Sequence, residues 1–346
     1  MRAVLFDRFK ELPRVETVDD PDCPADGVVI RVGATGLCRS DWHGWQGHDD
    51  GIALPHVPGH ELAGTIEAVG QDVASWHVGE RVTTPFVVAC GICATCRRGD
   101  QQVCEDQRQP GFTGWGSYAE LVAIERADVN LVRLPATMTF DVAASLGCRF
   151  ATAYRAVVQV GRVQPGEWVA IHGCGGVGLA AVMIAVSRGA RVVAVDVSPD
   201  SLVLAESLGA EAILDARTLD VPSAVKDLTG GGADVSVDAI GHDAVVVQSL
   251  ACLRARGRHV QVGLVAGAEI PLADAIGIII ASELQVLGSH GMAARDYPPM
   301  LEEIASGLLR PELLVRDVIG LDEVPDRLAG LSHVGSGAGG STIIRP

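Results

Sequence analysis

Along the first 140 or so residues the apolar positions come in short runs, each closed by Gly, Pro or Asp. "AVLFD", "GVVIRVGATG", "LAGTIEAVG", "ERVTTPF", "SYAELVAI" and "NLVRLP" are of this kind, and such a series predicts an all-β module with irregular loops. From about residue 141 the rhythm changes. The helical stretch "FDVAASLGCRFATAYRAVVQV" leads into the apolar runs "WVAIHG", "RVVAVDV", "EAILDA", "DVSVDAI", "RHVQVGL" and "LQVLGS", separated mostly by helical patterns. That alternation predicts a parallel, doubly wound sheet. After about residue 289 a helix pattern around "MLEEIASGLL" and a strand-like "STIIRP" read as a segment that packs back onto the first module. The expected class is therefore α/β, a β-rich module plus a doubly wound parallel sheet. The expected boundaries are 1–149, 150–288 and 289–346, since 346 residues exceed one ordinary core.

Composition narrows the setting. Hydrophobic residues make up 48% of the chain, enough for two cores. Asp7, Arg8, Lys10, Glu11 and Arg14 interrupt the first fifteen residues, so no apolar leader core follows the start. Runs such as "IGIII" at 276–280 fall short of the roughly 18 to 20 residues that span a bilayer. The expectation is a soluble, cytoplasmic protein with no membrane contact. The formal charge is -16, from 43 acids against 27 bases, which opposes attraction to a phosphate backbone and argues against nucleic acid as a partner.

Four of the nine cysteines fall within fifteen residues, as Cys90-x2-Cys93-x2-Cys96-x7-Cys104. An odd total and a reducing compartment weigh against a disulfide framework. One loop turning at Gly91 and at "RRGD" can wrap four sulfurs about a tetrahedral ion, as closed structural zinc sites do. An iron–sulfur cluster fits less well: the ferredoxin run has three residues before its last cysteine and Pro after it, whereas here the gap is seven and Glu105 follows. Structural zinc is the preferred reading, with disulfides or free thiols as the alternatives.

"WVAIHGCGGVGLAAVMIA" places Gly173-x-Gly175-x-x-Gly178, with Gly176 and Val177 between, at a strand exit and a helix entrance. A dinucleotide needs a tight turn there, a close backbone and a helix N-terminus facing the pyrophosphate. The second strand ends in Asp196, 18 residues after Gly178, near the spacing for an acid that binds ribose hydroxyls. A charged hydrogen bond is worth roughly 1.5–3 kcal/mol, about tenfold to a hundredfold in preference. The following "VSPD" offers no Arg or Lys to hold a 2′-phosphate. The sequence therefore predicts NAD over NADP.

Cysteine and histidine recur upstream in "GATGLCRSDWH" and "PGHELAG", where Cys38 and His60 are candidates for two of about three ligands of a catalytic zinc. Taken with the four-cysteine loop, the "LGCRFATAY" segment and the nucleotide turn, these stretches resemble the zinc-dependent alcohol dehydrogenases of the medium-chain dehydrogenase/reductase superfamily. The resemblance covers almost the whole chain, with five separated motifs in matching order. It implies a GroES-like catalytic domain, a Rossmann coenzyme domain and a C-terminal return to the first.

By that resemblance Cys148 is the third catalytic ligand, and Glu61 is a supporting group or a transient fourth ligand. Asp41 would bond the ligand imidazole, and Thr152 would sit against the nicotinamide. Arg39 would pair with the pyrophosphate, and Gly263 would belong to the coenzyme site. The four-cysteine loop would be the structural zinc lobe, giving two zinc ions per chain. The implied chemistry is a zinc-bound alkoxide that passes hydride to NAD, its proton leaving by way of Ser40 and the ribose to His43. Trp45, Phe86 and Trp115 resemble pocket residues, which suits aliphatic or benzylic alcohols. Cys23, Cys174 and Cys252 match no ligand position.

Where the family often has small residues after its third ligand, this chain has Arg149 and Phe150, which leaves the pocket's size and charge open, an anionic substrate included. A polyol, butanediol or amino-alcohol dehydrogenase of the same superfamily is the alternative among enzymes, and a nucleotide-binding redox sensor without catalysis is the alternative outside them. A homo-oligomer, tetramer or dimer, is the expected assembly.

Overall fold

The computed structural model describes residues 1–265, 272–331 and 340–346. Each apolar run of the first 140 residues becomes a strand, and most of them join one seven-stranded sheet. Its centre is Val28–Leu37, whose sequence VVIRVGATGL is buried almost throughout. This strand pairs antiparallel with Leu62–Val69 on one side and with Leu121–Ile124 and Ser341–Arg345 on the other. The strand Ser341–Arg345, closing the chain, thus lies in the sheet built by its first third.

The second sheet has six strands, all parallel. From edge to edge they are Ala212–Asp215, Arg191–Asp196, Trp168–His172, Ala233–Asp238, Leu253–Gln261 and Gln285–Gly288. The chain leaves Trp168–His172 toward one edge and later returns to its other side. The strand order reverses there, and open α/β sheets form their ligand crevice at such a point.

Between the sheets runs Phe140–Val160, helical throughout but with wider π-type turns at Leu146–Phe150 and Arg155–Val160. One buried cluster takes in Ala34 and Ala63 from the first sheet, Phe150 and Tyr154 from this run, and Val169 and Ile171 from the second. π-type turns frequently mark functional positions, and Cys148 falls in the first of them.

Two strands lie outside the expected set, Arg14–Thr17 and Val315–Gly320. The first reads RVET, with charges at alternate positions, and the second VRDVIG, with Arg316 and Asp317 adjacent; both have little full burial. Each belongs to the margin of its sheet, where pairing comes from the neighbouring strand and not from an apolar run of its own. No helix among the described residues is long and apolar enough to cross a membrane.

Candidate metal and coenzyme site

Two groups of four donors among the described residues could hold a metal ion, Cys90/Cys93/Cys96/Cys104 and Cys38/His60/Glu61/Cys148. In the loop, the Sγ atoms of Cys90 and Cys96 are 3.9 Å apart, those of Cys93 and Cys104 3.9 Å, and those of Cys104 and Cys90 3.5 Å. Sulfurs at ~2.3 Å from a tetrahedral zinc stand about 3.8 Å from one another. The spacing fits that ion and excludes S–S bonds, and all nine cysteines are free. Backbone N–H groups of Cys90, Cys93 and Cys96 point at sulfurs of the loop. The Cys96 amide in particular brings the Cys93 thiol down to about 6, while burial pushes Cys96 up to about 12.

The second group is assembled from three distant segments. Cys38 ends the central strand and opens the short helix Arg39–Trp45. His60 follows Gly59, which has φ +107°, and a Cβ at that glycine would lie 2.5 Å from the Tyr118 ring. Only a glycine lets the chain pass there, and its N–H donates to Asp41 Oδ1 at 3.0 Å. His60 Nδ1 meets the same oxygen at 2.9 Å.

Asp41 is 1% exposed and is held on its other oxygen by the Tyr118 hydroxyl at 2.7 Å and by the Cys38 N–H at 3.1 Å. This carboxylate places the ring proton on Nδ1 and leaves the Nε2 lone pair free. His60 Nε2 is buried and has no hydrogen-bond partner, while its ligand atom and those of Cys38, Glu61 and Cys148 lie within 4.8 Å of one another. A buried nitrogen without a partner is costly, and two thiols and a lone pair converging on one point are a donor set that suits zinc.

Electrostatics agree. Burial lowers the proton affinity of His60, yet the Asp41 carboxylate outweighs it and the ring's pKa stands well above the ordinary value, so the site favours a cation at Nε2. Cys38 and Cys148 perturb each other first of all, Cys38 going well down and Cys148 well up, so the pair favours one thiolate.

Glu61 is engaged from one side. Both of its oxygens accept from Arg149 Nε at 2.9 and 3.0 Å, Oε1 also from the Arg149 backbone N–H at 3.0 Å, and Oε2 from Nη2. Burial raises the Glu61 carboxyl even against this partner. Arg149 is therefore neutralised within the protein and is not a free cation facing the pocket. Its stem continues to the nucleotide turn, where a Cβ on Gly176 would stand 2.4 Å from Arg149 Cδ.

That turn has the geometry its glycines imply. A Cβ on Gly178 would stand 1.6 Å from the Gly173 carbonyl oxygen, so no other residue permits this approach. Gly175 precedes the helix Gly176–Ser187 with no side chain capping its N–H groups, which leaves them for an anion. Asp196 ends its strand beside the turn, accepting from the N–H groups of Cys174 at 2.5 Å and Ser198 at 2.7 Å. Gly263 packs against Gly241, where a Cβ would lie 2.2 Å from the Gly241 nitrogen, and its carbonyl accepts from Gln261 at 2.8 Å. Thr152 is buried one turn beyond Cys148.

Ser40 Oγ lies 3.7 Å from Cys38 Sγ. His43 is exposed, with Nδ1 at 3.0 Å from Nδ1 of His48, and Arg39 is exposed with its guanidinium 5.9 Å from the Trp42 ring. Of the three aromatic candidates, Phe86 stands against the metal group, its ring centroid 6.2 Å from that of His60. Trp45 packs among Leu37, Ile52 and Phe112 and donates its N–H to Glu11 O at 2.6 Å. Trp115 is 39% exposed and bonded to Pro55 O.

Sequence reasoning missed Phe112, whose ring is 5.2 Å from His60, and Tyr118, which holds Asp41. It also missed His290, 5.2 Å from Phe86. None of the three lies beside a recognisable motif, and each arrives from a separate segment by tertiary packing.

The model of the alcohol dehydrogenase GroES-like domain matches residues 24–136, and that of the zinc-binding dehydrogenase matches residues 176–306. An alcohol dehydrogenase of Geobacillus stearothermophilus is 33% identical over 332 residues, covering 95% of this chain and 96% of its own. A sorbitol dehydrogenase of Bacillus subtilis (strain 168) is 32% identical over 336 residues, covering 95% and 92%. A solved structure of an NAD-dependent alcohol dehydrogenase superposes with a TM-score of 0.88 at 29% identity, covering all of both chains.

Proposed function

The chain belongs to the zinc-dependent alcohol dehydrogenases of the medium-chain dehydrogenase/reductase superfamily, and from that membership we propose that it interconverts alcohols and their aldehydes or ketones with NAD. The observation that carries this reading is His60 Nε2, buried without a partner, its tautomer set by Asp41, and grouped with the Cys38 and Cys148 sulfurs. These three residues would hold the catalytic zinc and the four-cysteine loop a structural one. When bound, the metal supplies Lewis acidity toward the substrate oxygen and NAD supplies the hydride acceptor.

The protein's own residues have three tasks. Asp41 and Tyr118 orient the histidine. Arg149 keeps both oxygens of Glu61 engaged, so the fourth position beside the donors stays open to a substrate oxygen. Ser40, close to Cys38, takes the proton of the substrate hydroxyl, and exposed His43 is where it leaves to solvent. Around the open position Phe86 and Phe112 provide apolar faces. Thr152 and Gly263 border the nicotinamide, Gly173 through Gly178 and Arg39 take the pyrophosphate, and Asp196 reads the ribose diol, which favours NAD over NADP.

A sorbitol dehydrogenase among the relatives keeps a polyol as the second reading. Cys148, where polyol enzymes commonly carry an acid, weighs against it. The test is NAD and NADP reduction across ethanol, longer primary alcohols, 2-propanol, benzyl alcohol and a polyol, with a chelator-treated control. The expected result is chelator-sensitive turnover with NAD and the apolar alcohols. Turnover with the polyol alone selects the second reading. No turnover from protein carrying two zinc ions would sink both and favour a nucleotide sensor.

A further inference from the structure

The short helix Arg39–Trp45 ends in a turn that brings two imidazoles together. Gly47 lies in the left-handed region, with φ +75°. Its N–H donates to Gly44 O at 3.0 Å, and the N–H of His48 donates to His43 O at 3.0 Å. These two bonds are the Schellman closure of a helix, in which the residue just past the glycine meets the residue four before it. An apolar contact frequently fills that place, whereas here both residues are histidine. A Cβ on Gly47 would also stand 3.1 Å from the Phe9 ring, so both backbone and space hold this turn to glycine.

His43 Nδ1 and His48 Nδ1 are 3.0 Å apart, with the ring centroids at 5.3 Å. Trp42 stands edge-on to both rings, 4.9 Å from His43 and 5.9 Å from His48. Packing as well as the turn therefore sets the pair, and both rings are exposed. Desolvation first, then His48 and Arg39, lower the His43 pKa, so the ring is neutral near pH 7.

Two neutral imidazoles in an N–H···N contact can exchange it for a metal ion. The donating ring moves its proton from Nδ1 to Nε2, and two lone pairs then converge with no net proton released. Nitrogen donors sit about 2.0–2.1 Å from zinc. At that length the observed 3.0 Å separation subtends about 95°, and an opening of about 0.3 Å reaches the tetrahedral angle. Imidazole suits zinc, copper and nickel, and not the hard magnesium ion.

We propose that His43 and His48 form a site for a third transition-metal ion, outside both clusters of four donors, and that an ion bound there slows turnover. With Nδ1 on the metal and Nε2 protonated, His43 has no lone pair left to receive a proton. The binding half stands on the geometry of the pair. The inhibitory half rests on the reading of His43 as the exit for the substrate's proton.

The experiment starts from protein carrying two zinc ions, as wild type, His48→Gln and His43→Ala. Zinc per chain is counted by equilibrium dialysis at about pH 7 against rising Zn2+, and initial rates of alcohol oxidation are taken over the same range. The wild type should bind one ion more than either variant, and its kcat should fall severalfold with that ion, to the rate of His43→Ala. His48→Gln keeps an amide beside His43 and should keep the basal rate. It should need about tenfold more zinc, or beyond, for the same loss, since a second donor already in place binds with little further ordering. Magnesium at the same concentrations should do nothing.

Equal zinc counts in all three proteins overturn the site. A third ion that needs both histidines yet leaves kcat unchanged overturns the inhibition, and with it the path of the proton through His43. Inhibition as strong in His48→Gln as in the wild type, or reproduced by magnesium, overturns the pair as its seat. If the two-zinc protein oxidises no alcohol, the alcohol reading fails and the zinc count alone decides the site.

Discussion

The two donor clusters differ in where their members come from and in what surrounds them. Cys90, Cys93, Cys96 and Cys104 lie in one loop, the first two half-buried and the last two buried, and their sulfurs are stabilised by the loop's own N–H groups. Cys38, His60, Glu61 and Cys148 are drawn across 110 residues and brought together, the first three buried and Cys148 half-buried, beside the buried Asp41, Tyr118 and Arg149. Four equivalent sulfurs can close a coordination shell and leave nothing for a substrate. Two sulfurs, one imidazole and a carboxylate restrained by an arginine leave one position unfilled. The first arrangement costs little to fold because a short loop closes it. The second buries charge and is tolerated only where each charge has a partner.

Alanine at one cysteine of each cluster tests this division most strongly. Cys148→Ala should remove one zinc per chain and cut kcat by a thousandfold or more, since a Lewis acid contributes several kcal/mol at about 1.4 kcal/mol per tenfold. Its melting temperature should change modestly. Cys104→Ala should also lose one zinc, yet lower the melting temperature markedly while molecules that remain folded keep most of their kcat. Zinc analysis, calorimetry and initial rates on both proteins decide the matter. Equal losses of rate from the two variants would break the division between a scaffold site and a chemical one.

The same contrast explains what was legible in the sequence. The loop is written in one stretch, and its spacing alone led to a metal. The parallel sheet was equally plain, because six apolar runs such as "RVVAVDV" and "DVSVDAI" carry their own periodicity. Strand Val315–Gly320 was not, since its outward charges hide a pattern that only its neighbour Ser341–Arg345 completes. At the second cluster, Cys38 and His60 stood out through their neighbours, but Cys148 was found by resemblance. Tyr118 and Phe112 are ordinary aromatic residues until packing sets them against Asp41 and His60. Arg149 read as a charge of open consequence, because its partner Glu61 is 88 residues away in the chain.

That ion pair gives the second test. Arg149→Met should destabilise the protein by roughly 3 to 5 kcal/mol near neutral pH, the usual cost of leaving one buried charge without its partner. Burial already raises the Glu61 carboxyl and Arg149 opposes the rise, so the variant should raise it further. A carboxyl with a folded pKa above its unfolded one binds more protons when folded, and stability then falls as pH rises through that range. The penalty should therefore shrink as pH is lowered from about 7 toward the ordinary glutamate value of about 4.5, because Glu61, held above that value, takes up its proton on the way down. Urea melts of both proteins across that interval supply the comparison, and a penalty independent of pH would mean that Glu61 is not the group left uncompensated.

The smallest expected effect is at the edge of the chemical site, where the scaffold loop has no counterpart. The proton of each oxidised alcohol must reach water, and exposed His43 is the proposed last stop. Desolvation of its ring lowers the His43 pKa first of all, and the nearby His48 and Arg39 lower it further. Neutral His43, the form that accepts a proton, thus persists below the usual histidine value of about 6.5. In His43→Ala, hydroxide and buffer must take over its task, and their capacity grows with pH. The loss in kcat should be about tenfold near pH 6, less than the hundredfold or more of a general base in direct contact with substrate, and should fade toward about pH 9. Added imidazole should restore part of it. If the loss is the same at every pH and imidazole does nothing, His43 holds the loop and its neighbour His48, bonded to it at 3.0 Å, and the proton leaves the second cluster by another way.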